Sequence, residues 1–267
     1  MKTRQKISLV VTLLAIGVLC SSHEFWMQPK KYRFAVGETM PLKLMVGENF
    51  EGDAWDLNRH KVEKLDLHQL TKMKDVRAQL KPQEKEKLQL KLTEPGTHLV
   101  TLESNNAFIE LDADKFNSYL EEDGLENIIA LRKENNTMNL PSKEFYKRFA
   151  KLLVQVGDKT DDTYKKKVGF RNEIILMKNP YTLKVGDYLT CTVLFDGKPN
   201  PHQLVKVWTK IGTTTFLQNL YTENDGTVTF PINAKGEWMV STVKMIPAET
   251  AGADWQSLWA SYVFGID

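Results

Sequence analysis

The sequence has few cysteines: only Cys20 and Cys191 occur among its 267 residues. Cys20 lies at the end of a predicted export signal, whose cleavage would leave Cys191 alone. A single cysteine cannot form an internal disulfide, which excludes a small extracellular domain stapled by disulfides. Cys191 alternates with threonines in YLTCTVLF, and no basic side chain adjoins it. We therefore interpret it as a small buried residue and not as a reactive thiol.

Long hydrophobic runs are also missing. The longest, ISLVVTLLAIGVL, has 13 residues, whereas a membrane-spanning helix needs about 20. It follows the basic stretch MKTRQK and precedes the small polar stretch CSS, a layout typical of a secretory signal. We expect residues 1–22 to be a cleaved signal peptide and the mature protein to be exported and soluble. The alternatives are an uncleaved anchor and a lipid anchor through Cys20, although Leu19 stands where lipoprotein signals carry a small residue.

Neither sign of charge is in large excess, with 36 basic and 34 acidic residues. Cleavage would remove three basic residues and leave a net charge of about −1. The mature chain therefore lacks the clustered basic excess that nucleic-acid binding requires. It also lacks a Ser-His-Asp spacing, a glycine-rich phosphate loop and a CxxC pair. We predict a protein that is not an enzyme.

The periodicity of apolar residues divides the mature chain into three parts. Residues 23–111 alternate apolar and polar side chains in segments such as PLKLMVG and THLVTLE, which predicts antiparallel strands. Residues 112–169 contain DADKFNSYLEEDGLENIIALRK and LPSKEFYKRFAKLLVQVG, whose three-and-four spacing predicts a helical insert, followed by a polar loop. Residues 170–267 contain seven short strand-like segments, and WQSLWASYVF suggests a helical turn before the last strand.

These patterns predict a fold that is mainly β with a helical insert, an α+β arrangement. It would have two β-sandwich-like regions, of which the C-terminal one is Ig-like or transthyretin-like. Four segments follow: a signal peptide over 1–22, a β region over 23–111, the insert over 112–169 and a sandwich over 170–267.

Several segments resemble an exported bacterial family of domains of unknown function that is associated with the periplasmic component of nickel or cobalt ABC-type transport. They are SHEFWMQPKKYRFAVGE, VGENFEGDAW, YLEEDGLENIIALRK, FYKRFAKLLVQVGD, NPYTLKVGDYLTCTVLFDGKP, TENDGTVTFPI and ADWQSLWASYVF. The resemblance covers essentially the whole mature chain in order. It implies a Gram-negative periplasmic location, two β regions around a helical insert and a role with a divalent metal ion. A membrane metal-uptake complex is the implied partner.

Processing decides the chemistry of His23. Cleavage after Ser22 would make His23 the first residue, whose amine and imidazole can chelate one copper or nickel ion, and a second imidazole could complete a brace. Cleavage after Cys20 would give a terminus of sequence SSH, in which the amine, two amides and the imidazole can bind Cu(II) or Ni(II) in a square plane. Alternatively, His23 is a polar start to a strand whose aromatic residues belong to the core.

His98 is the candidate second metal ligand. It shares a strand face with Val100 and Leu102 in THLVTLE and should therefore point inward, where a histidine needs a partner. The alternative is a core histidine satisfied by hydrogen bonds. We expect the remaining histidines at the surface, and we expect the methionines and the last two tryptophans in the core. These residues are His60, His68 and His202; Met40, Met45, Met239 and Met245; and Trp255 and Trp259.

The function predicted from the sequence is binding or delivery of a divalent transition metal, namely nickel, cobalt or copper, as an accessory to an uptake system. The metal site would involve His23 and His98. One alternative is a metal-free module of the cell envelope that contacts a ligand such as a carbohydrate. A further alternative is a copper oxygenase with a histidine brace.

Export processing gives a first prediction. Because small residues suit signal peptidase, the mature chain should start between Ser21 and His23. Intact mass spectrometry of the protein recovered from the periplasm measures this start. A product that retains Met1, or that carries a diacylglycerol on Cys20, would contradict the expectation and remove the terminal histidine.

Overall fold

The structure, a computed structural model, describes residues 23–267. The predicted signal peptide and Cys20 lie outside the described residues. The strands and helices, numbered in chain order, have the following bounds: β1 (Glu24–Pro29), β2 (Arg33–Phe34), β3 (Thr39–Glu48), β4 (Glu51–Ala54), β5 (Val62–His68), β6 (Met73–Asp75), β7 (Leu88–Lys91), β8 (Gly96–Ser104), β9 (Ala107–Leu111), α1 (Ala113–Glu122), α2 (Glu126–Glu134), β10 (Ser142–Val156), β11 (Asn172–Leu176), β12 (Tyr188–Phe195), β13 (Lys198–Pro199), β14 (Leu204–Ile211), β15 (Thr214–Tyr221), β16 (Thr227–Pro231), β17 (Gly236–Pro247) and β18 (Trp255–Ile266).

The strands form three sheets. A ten-stranded sheet has the order β15-β14-β17-β18-β10-β8-β5-β6, with β2 and β9 also pairing with β10. A first small sheet contains β1, β3, β4 and β7, and a second contains β11, β12, β13 and β16. The prediction of a mainly β fold with a helical insert and sandwich-like packing is confirmed. The division into two β regions stays a prediction, because the large sheet includes strands from both.

The small sheets cover opposite faces of the large one. Ser261 Oγ on β18 donates to the backbone oxygen of Phe25 on β1 at 2.6 Å. The next residue of β18, Tyr262, lies on the other face, where its hydroxyl donates to Tyr164 O and its ring contacts the Lys151 ammonium. Adjacent residues of a strand point to opposite faces. The large sheet is therefore the middle layer of three.

The helical insert packs on the same face as the first small sheet. Phe116 and Leu120 of α1 and Ile128 of α2 form a buried cluster with Val243 and Trp255 of the large sheet. Gly124 separates the two helices with a positive φ of 62°, a conformation that favours glycine. The predicted helical spacing over residues 113–134 and the break at glycine are both confirmed.

The segment LPSKEFYKRFAKLLVQVG was predicted to be helical, and this prediction is wrong. Residues Ser142–Val156 form β10, which pairs in parallel with β18 and antiparallel with β8 and β9. Its last eight residues are all buried. A strand covered on both faces carries apolar side chains on both, so the alternating signal disappears. The spacing of Phe145, Phe149 and Leu152 then imitates a helix.

The helical turn expected in WQSLWASYVF is wrong for the same reason. Residues Trp255–Ile266 form the continuous strand β18, and eleven of its twelve residues are buried. The two tryptophans four residues apart lie on one face because strand residues alternate. Among residues 23–267, neither helix has the length and apolarity needed to cross a membrane.

A buried ion pair joins the large sheet to the second small sheet. Lys151 Nζ on β10 donates to Glu173 Oε1 on β11 at 2.7 Å and to Ile174 O at 3.0 Å. Each side chain is 2% exposed. Glu173 also accepts backbone hydrogen bonds from Val168 and Gly169. The pair therefore has few unmet hydrogen bonds, as a buried charge requires.

Replacing one partner of this pair should be costly. Lys151→Met leaves the Glu173 carboxylate buried without its counter-charge, so we expect a loss of about 3–5 kcal/mol in unfolding free energy. The double variant Lys151→Met, Glu173→Gln should recover part of that loss because no lone charge remains. Urea unfolding of the parent, single and double variants measures both. A double variant less stable than Lys151→Met would contradict this account.

Candidate functional site

Charged side chains converge where β1 begins. Glu24 opens β1, Asp123 follows α1, and Lys206 lies on β14. Lys206 Nζ lies 2.6 Å from Asp123 Oδ1 and 3.7 Å from Glu24 Oε1. Both carboxylate side chains are almost fully buried. We call Glu24, Asp123 and Lys206 the charged cluster.

Local backbone chemistry brings the members of the cluster together. Asp123 directly precedes Gly124, which turns the chain in a left-handed conformation after α1. A Cβ at this glycine would lie 2.9 Å from Leu204 Cδ2 on β14. A larger residue would thus push the end of α1 away from β14. The glycine therefore permits the contact between Asp123 and Lys206.

Electrostatics sets the protonation of the cluster. Burial raises the pKa of Glu24 to about 7, opposed by Lys206 and reinforced by Asp123 and Glu48. Burial lowers the pKa of Lys206, but Asp123, Glu24 and Glu48 outweigh it, so the net shift is upward. Lys206 is therefore charged at neutral pH, whereas Glu24 is close to its titration midpoint.

Two small cavities adjoin the cluster. Each has a volume of about 10 Å³, and both are lined by Glu24, Ser241 and Trp259. A volume of this size accommodates about one water molecule. Glu24 Oε2 is buried and has no hydrogen-bond partner within residues 23–267. Such an atom is costly without a partner, so it indicates a place where a cation or water can bind.

A second buried carboxylate lies on the other side of Trp259. Glu144 Oε1 on β10 accepts hydrogen bonds from Ser257 Oγ and from the Tyr119 hydroxyl. Ser257 Oγ in turn accepts from Trp259 Nε1 at 2.9 Å. Burial raises the pKa of Glu144 to about 7. A chain of polar contacts thus runs beside the cluster from Glu144 to Trp259.

His23 lies at the edge of the charged cluster. It immediately precedes Glu24 and is partly buried. The antiparallel register of β1 and β3 pairs Glu24 with Gly47. The first predicted metal ligand therefore directly precedes one buried carboxylate of the cluster in the chain.

His98, the second predicted ligand, has a structural partner. Its Nε2 lies 2.9 Å from Glu94 O, and the side chain is buried. Burial lowers the pKa of His98. Its Nδ1 has no hydrogen-bond partner in the described part of the chain. The prediction that His98 points inward is confirmed, and its contacts fit a core histidine.

The structure does not bring His98 and His23 together. His98 pairs with Val154 on β10. Phe25 accepts a hydrogen bond from Ser261, and Ser261 pairs with Ala150, four residues before Val154 on β10. Four strand residues span about 13 Å. After β1, Tyr32 O and Phe34 O accept hydrogen bonds from Gln155 and Gly157, which follow Val154 in the chain. β1 therefore runs toward the His98 end of β10, and His23, which precedes β1, lies further from His98 than Phe25 does. Because metal–nitrogen bonds are about 2 Å long, these two imidazoles cannot share an ion in this structure.

The other histidines differ in position. His202 is exposed in a turn, as predicted. His60 is partly buried and stacks on Trp55 with ring centroids 5.1 Å apart. His68 is buried, contrary to the prediction, and its Nε2 lies 3.0 Å from Thr101 Oγ1. Burial lowers its pKa to about 4.

Three of the four methionines that the sequence placed in the core are fully buried, and Met45 on β3 is partly buried. Met40, Met239 and Met245 are buried in the core, as interpreted from the sequence. Cys191 is also buried, and burial raises the pKa of its thiol. Over residues 23–267, no three His, Cys, Asp or Glu side chains lie close enough together to hold a metal ion by themselves. A metal site here would need a further ligand, such as a terminal amine.

Sequence reasoning identified His23 but missed Glu24, Asp123, Lys206 and Glu144. Lys206 lies in the segment LVKVWTK, whose alternating pattern predicts a strand with an exposed lysine. Nothing in that pattern indicates that Asp123, at the end of α1, contacts this lysine. Glu144 was assigned to a helix face that does not exist. The one usable signal was Asp123-Gly124, a carboxylate at a predicted helix break.

The chain matches the family described as Domain of unknown function (DUF4198) over residues 20–245. No curated protein matches it. Three N-terminal domains of the bacteriophage RB49 highly immunogenic outer capsid protein align with 92% of this chain and 71% of theirs, at 6% identity and a TM-score of 0.24. Elastase-activated Escherichia coli alpha-2-macroglobulin aligns with 92% of this chain and 20% of its own, at 12% identity and a TM-score of 0.24. A Salmonella alpha-2-macroglobulin mutant aligns with 90% of this chain and 15% of its own, at 13% identity and a TM-score of 0.23. TM-scores this low do not indicate a shared fold.

The raised pKa of Glu144 predicts an unusual pH dependence of stability. A carboxyl with a folded-state pKa of about 7, against its ordinary 4.5, loses its favourable contribution as pH rises through 7. Glu144→Gln can still accept hydrogen bonds but cannot ionise. Relative to the parent, its unfolding free energy should therefore rise by about 3 kcal/mol between about pH 5 and pH 8.5.

Urea unfolding at both pH values measures the shift. Glu110→Gln is the matched control, because Glu110 is an exposed carboxylate on the neighbouring strand β9. The same shift in both variants, or none in Glu144→Gln, would refute the assignment.

Proposed function

The chain belongs to the DUF4198 family of domains of unknown function, and we propose that it binds a divalent transition-metal ion at its mature N-terminus. In this proposal the ion is nickel, cobalt or copper. The protein acts in the periplasm as a binding or delivery accessory to a membrane uptake system. The observation that carries the proposal is the buried Glu24 carboxylate directly after His23, one oxygen of which has no hydrogen-bond partner among residues 23–267.

The terminus supplies nitrogen ligands that side chains alone do not provide. Cleavage after Ser22 would give His23 an amine, which forms a two-nitrogen chelate with its own imidazole. The nearby carboxylates of Glu24, Glu48 and Asp123 contribute negative potential, since only Lys206 balances them within the charged cluster. A cation near Glu24 favours its ionised form and removes the cost that raises its pKa. The residues at the start of β1 therefore fit a metal ion.

The ligand set also predicts which ions bind best. Sites built from nitrogen and oxygen follow the order Co²⁺, Ni²⁺, Cu²⁺ of increasing affinity. The amine and the imidazole bind only when deprotonated. Affinity should therefore fall as pH is lowered, because protons compete with the ion for both nitrogens.

The two cleavage positions lead to different coordination. A terminus of sequence SSH would use the amine, two amides and the His23 imidazole, with Ser21 and Ser22 outside the described residues. A copper oxygenase with a histidine brace has less support, because His98 is distant and bonded to Glu94 O. Both the chelate and the SSH geometry depend on His23.

A metal-free envelope module is the second candidate, and one observation favours it. The ammonium of Lys206 already lies between the carboxylates of Asp123 and Glu24. In this alternative the cluster only joins β1, β14 and the end of α1. The ligand would then bind elsewhere, for example in the open groove of about 730 Å³ lined by residues that include His60, Arg77 and Leu80.

Calorimetric titration of the mature protein with Ni²⁺ and Cu²⁺ tests the metal proposal. His23→Ala should weaken binding by more than about tenfold, because it removes a direct ligand and even an outer-shell partner is worth about 10–100-fold. A mature chain extended by one N-terminal methionine should lose affinity similarly, because its amine no longer adjoins His23.

His202→Asn is the matched control. His202 is exposed and has a positive φ of 55°, which asparagine tolerates, so this variant should bind like the parent. Equal affinity in the parent, His23→Ala and the extended chain would eliminate both terminal geometries. That result would favour the metal-free module.

A further inference from the structure

Lys206 holds an unusual position for a lysine. Its side chain is 12% exposed, and its ammonium contacts two carboxylates that are each no more than 3% exposed. The bond to Asp123 Oδ1 is short at 2.6 Å, whereas the contact to Glu24 Oε1 is long at 3.7 Å. Glu24 Oε2 has no hydrogen-bond partner in the described part of the chain, and the residue Glu24 lines both adjoining cavities. The ammonium of Lys206 thus leaves one carboxylate oxygen of Glu24 without a hydrogen bond among the described residues.

We propose that Lys206 is the resident counter-cation of this site, and that a divalent ion loads by displacing the ammonium from Glu24 and Asp123. This inference rests on the proposed function and adds how the site is regulated. Lys206 is then a competitor built into the chain, and its charge sets the affinity for the incoming ion.

The physical reason is that two cations cannot share these carboxylates at close range. Two cations about 4 Å apart in a partly buried site repel each other strongly, and a divalent ion doubles the repulsion that a monovalent ion would feel. An ammonium has only donors and cannot ligate a metal while it stays protonated. The metal and Lys206 must therefore compete for Glu24 and Asp123.

The side chain of Lys206 can move without disturbing the fold. Its four-carbon stem is flexible, and its backbone is held on both sides by the pairs with Asn219 on β15 and Ser241 on β17. Rotation about the side-chain torsions would carry the ammonium toward solvent, since the side chain is already partly exposed. Displacement therefore leaves the sheet intact.

This competition would select ions by charge. A sodium or potassium ion that replaces the ammonium exchanges one unit charge for another and gains no electrostatic energy. A divalent ion adds one unit of positive charge to Glu24, Asp123 and the nearby Glu48. The lysine thus disfavours monovalent ions, which outnumber transition metals in most solutions.

Affinity measurements test the proposal. Lys206→Met keeps the length of the stem and removes the charge, and Lys206→Arg keeps the charge. At about pH 8, mature Lys206→Met should bind Ni²⁺ at least about tenfold more tightly than the parent, because the carboxylates of Glu24 and Asp123 no longer contact an ammonium. Lys206→Arg should bind no more tightly than the parent.

A second measurement uses the parent chain and remains available if Lys206→Met does not fold. Brief labelling with an amine-reactive reagent, mapped by mass spectrometry, should modify Lys206 at least about threefold more in saturating Ni²⁺ than in a chelator, because a displaced ammonium is more exposed. Two other lysines serve as controls. Lys30, whose side chain is 71% exposed, should label equally in both conditions, and the buried Lys151 should stay unlabelled.

The outcomes separate the two proposals. If the parent binds Ni²⁺ through His23, and neither Lys206→Met affinity nor Lys206 labelling changes, the displacement is refuted and the metal function stands. If Lys206→Arg tightens binding as much as Lys206→Met, charge is not the cause and the inference is also wrong. If the parent does not bind Ni²⁺ or Cu²⁺, the metal function and the displacement fail together.

Discussion

The parallel pairing of β10 with β18 is the constraint on which the rest of the structure depends. Nine consecutive pairs join these strands, from Glu144 with Trp255 to Leu152 with Val263. Parallel strands need a long crossover, and here the crossover from β10 to β18 contains the second small sheet, the hairpin β14–β15 and the strand β17. The same two strands contribute Glu144, Ser257 and Trp259 to the candidate site. The middle layer of the fold and the polar surroundings of the site are therefore built from one pairing.

Three buried cations show what distinguishes the site from the scaffold. Arg132 donates to Ser142 Oγ, to Asn117 Oδ1 and to backbone oxygens of the loop after α2. Lys151 has one carboxylate and two carbonyl oxygens as acceptors. Both cations have well-matched acceptors, as structural charges do. Lys206 instead has a short bond to Asp123 and a long contact to Glu24. The second carboxylate oxygen of Glu24 has no hydrogen-bond partner in the part of the chain that the structure describes.

Sequence patterns correctly predicted α1 and α2, which bury one face, and misled at β10 and at the start of β18, which are buried on both faces. The helices over 113–134 have one apolar face, so their spacing was informative, and Gly124 marked the break. β10 and β18 lie in the middle layer and carry apolar residues on both faces, so their periodicity misled. The site was less accessible to prediction. Glu24, Asp123 and Lys206 are far apart in sequence, and they meet because the turn after α1 contacts β14 and β1 begins beside it. His23 could be proposed from the sequence because its predicted chemistry depends on cleavage and not on tertiary contacts, and it stays a prediction.

A terminal metal site requires that the terminus be held in place, and the fold provides this. Phe25 is fixed by the hydrogen bond from Ser261 and by ring contact with Trp55, and Trp26 is 1% exposed. Glu24, the residue next to these anchors, therefore has a defined position in the charged cluster, which lowers the cost of ordering a ligand there. In the precursor, an amide would occupy the place of the amine and could not serve as the same neutral ligand. In the proposed function, metal binding would thus begin only after export and cleavage, so the chain would not compete for metal ions in the compartment where it is made.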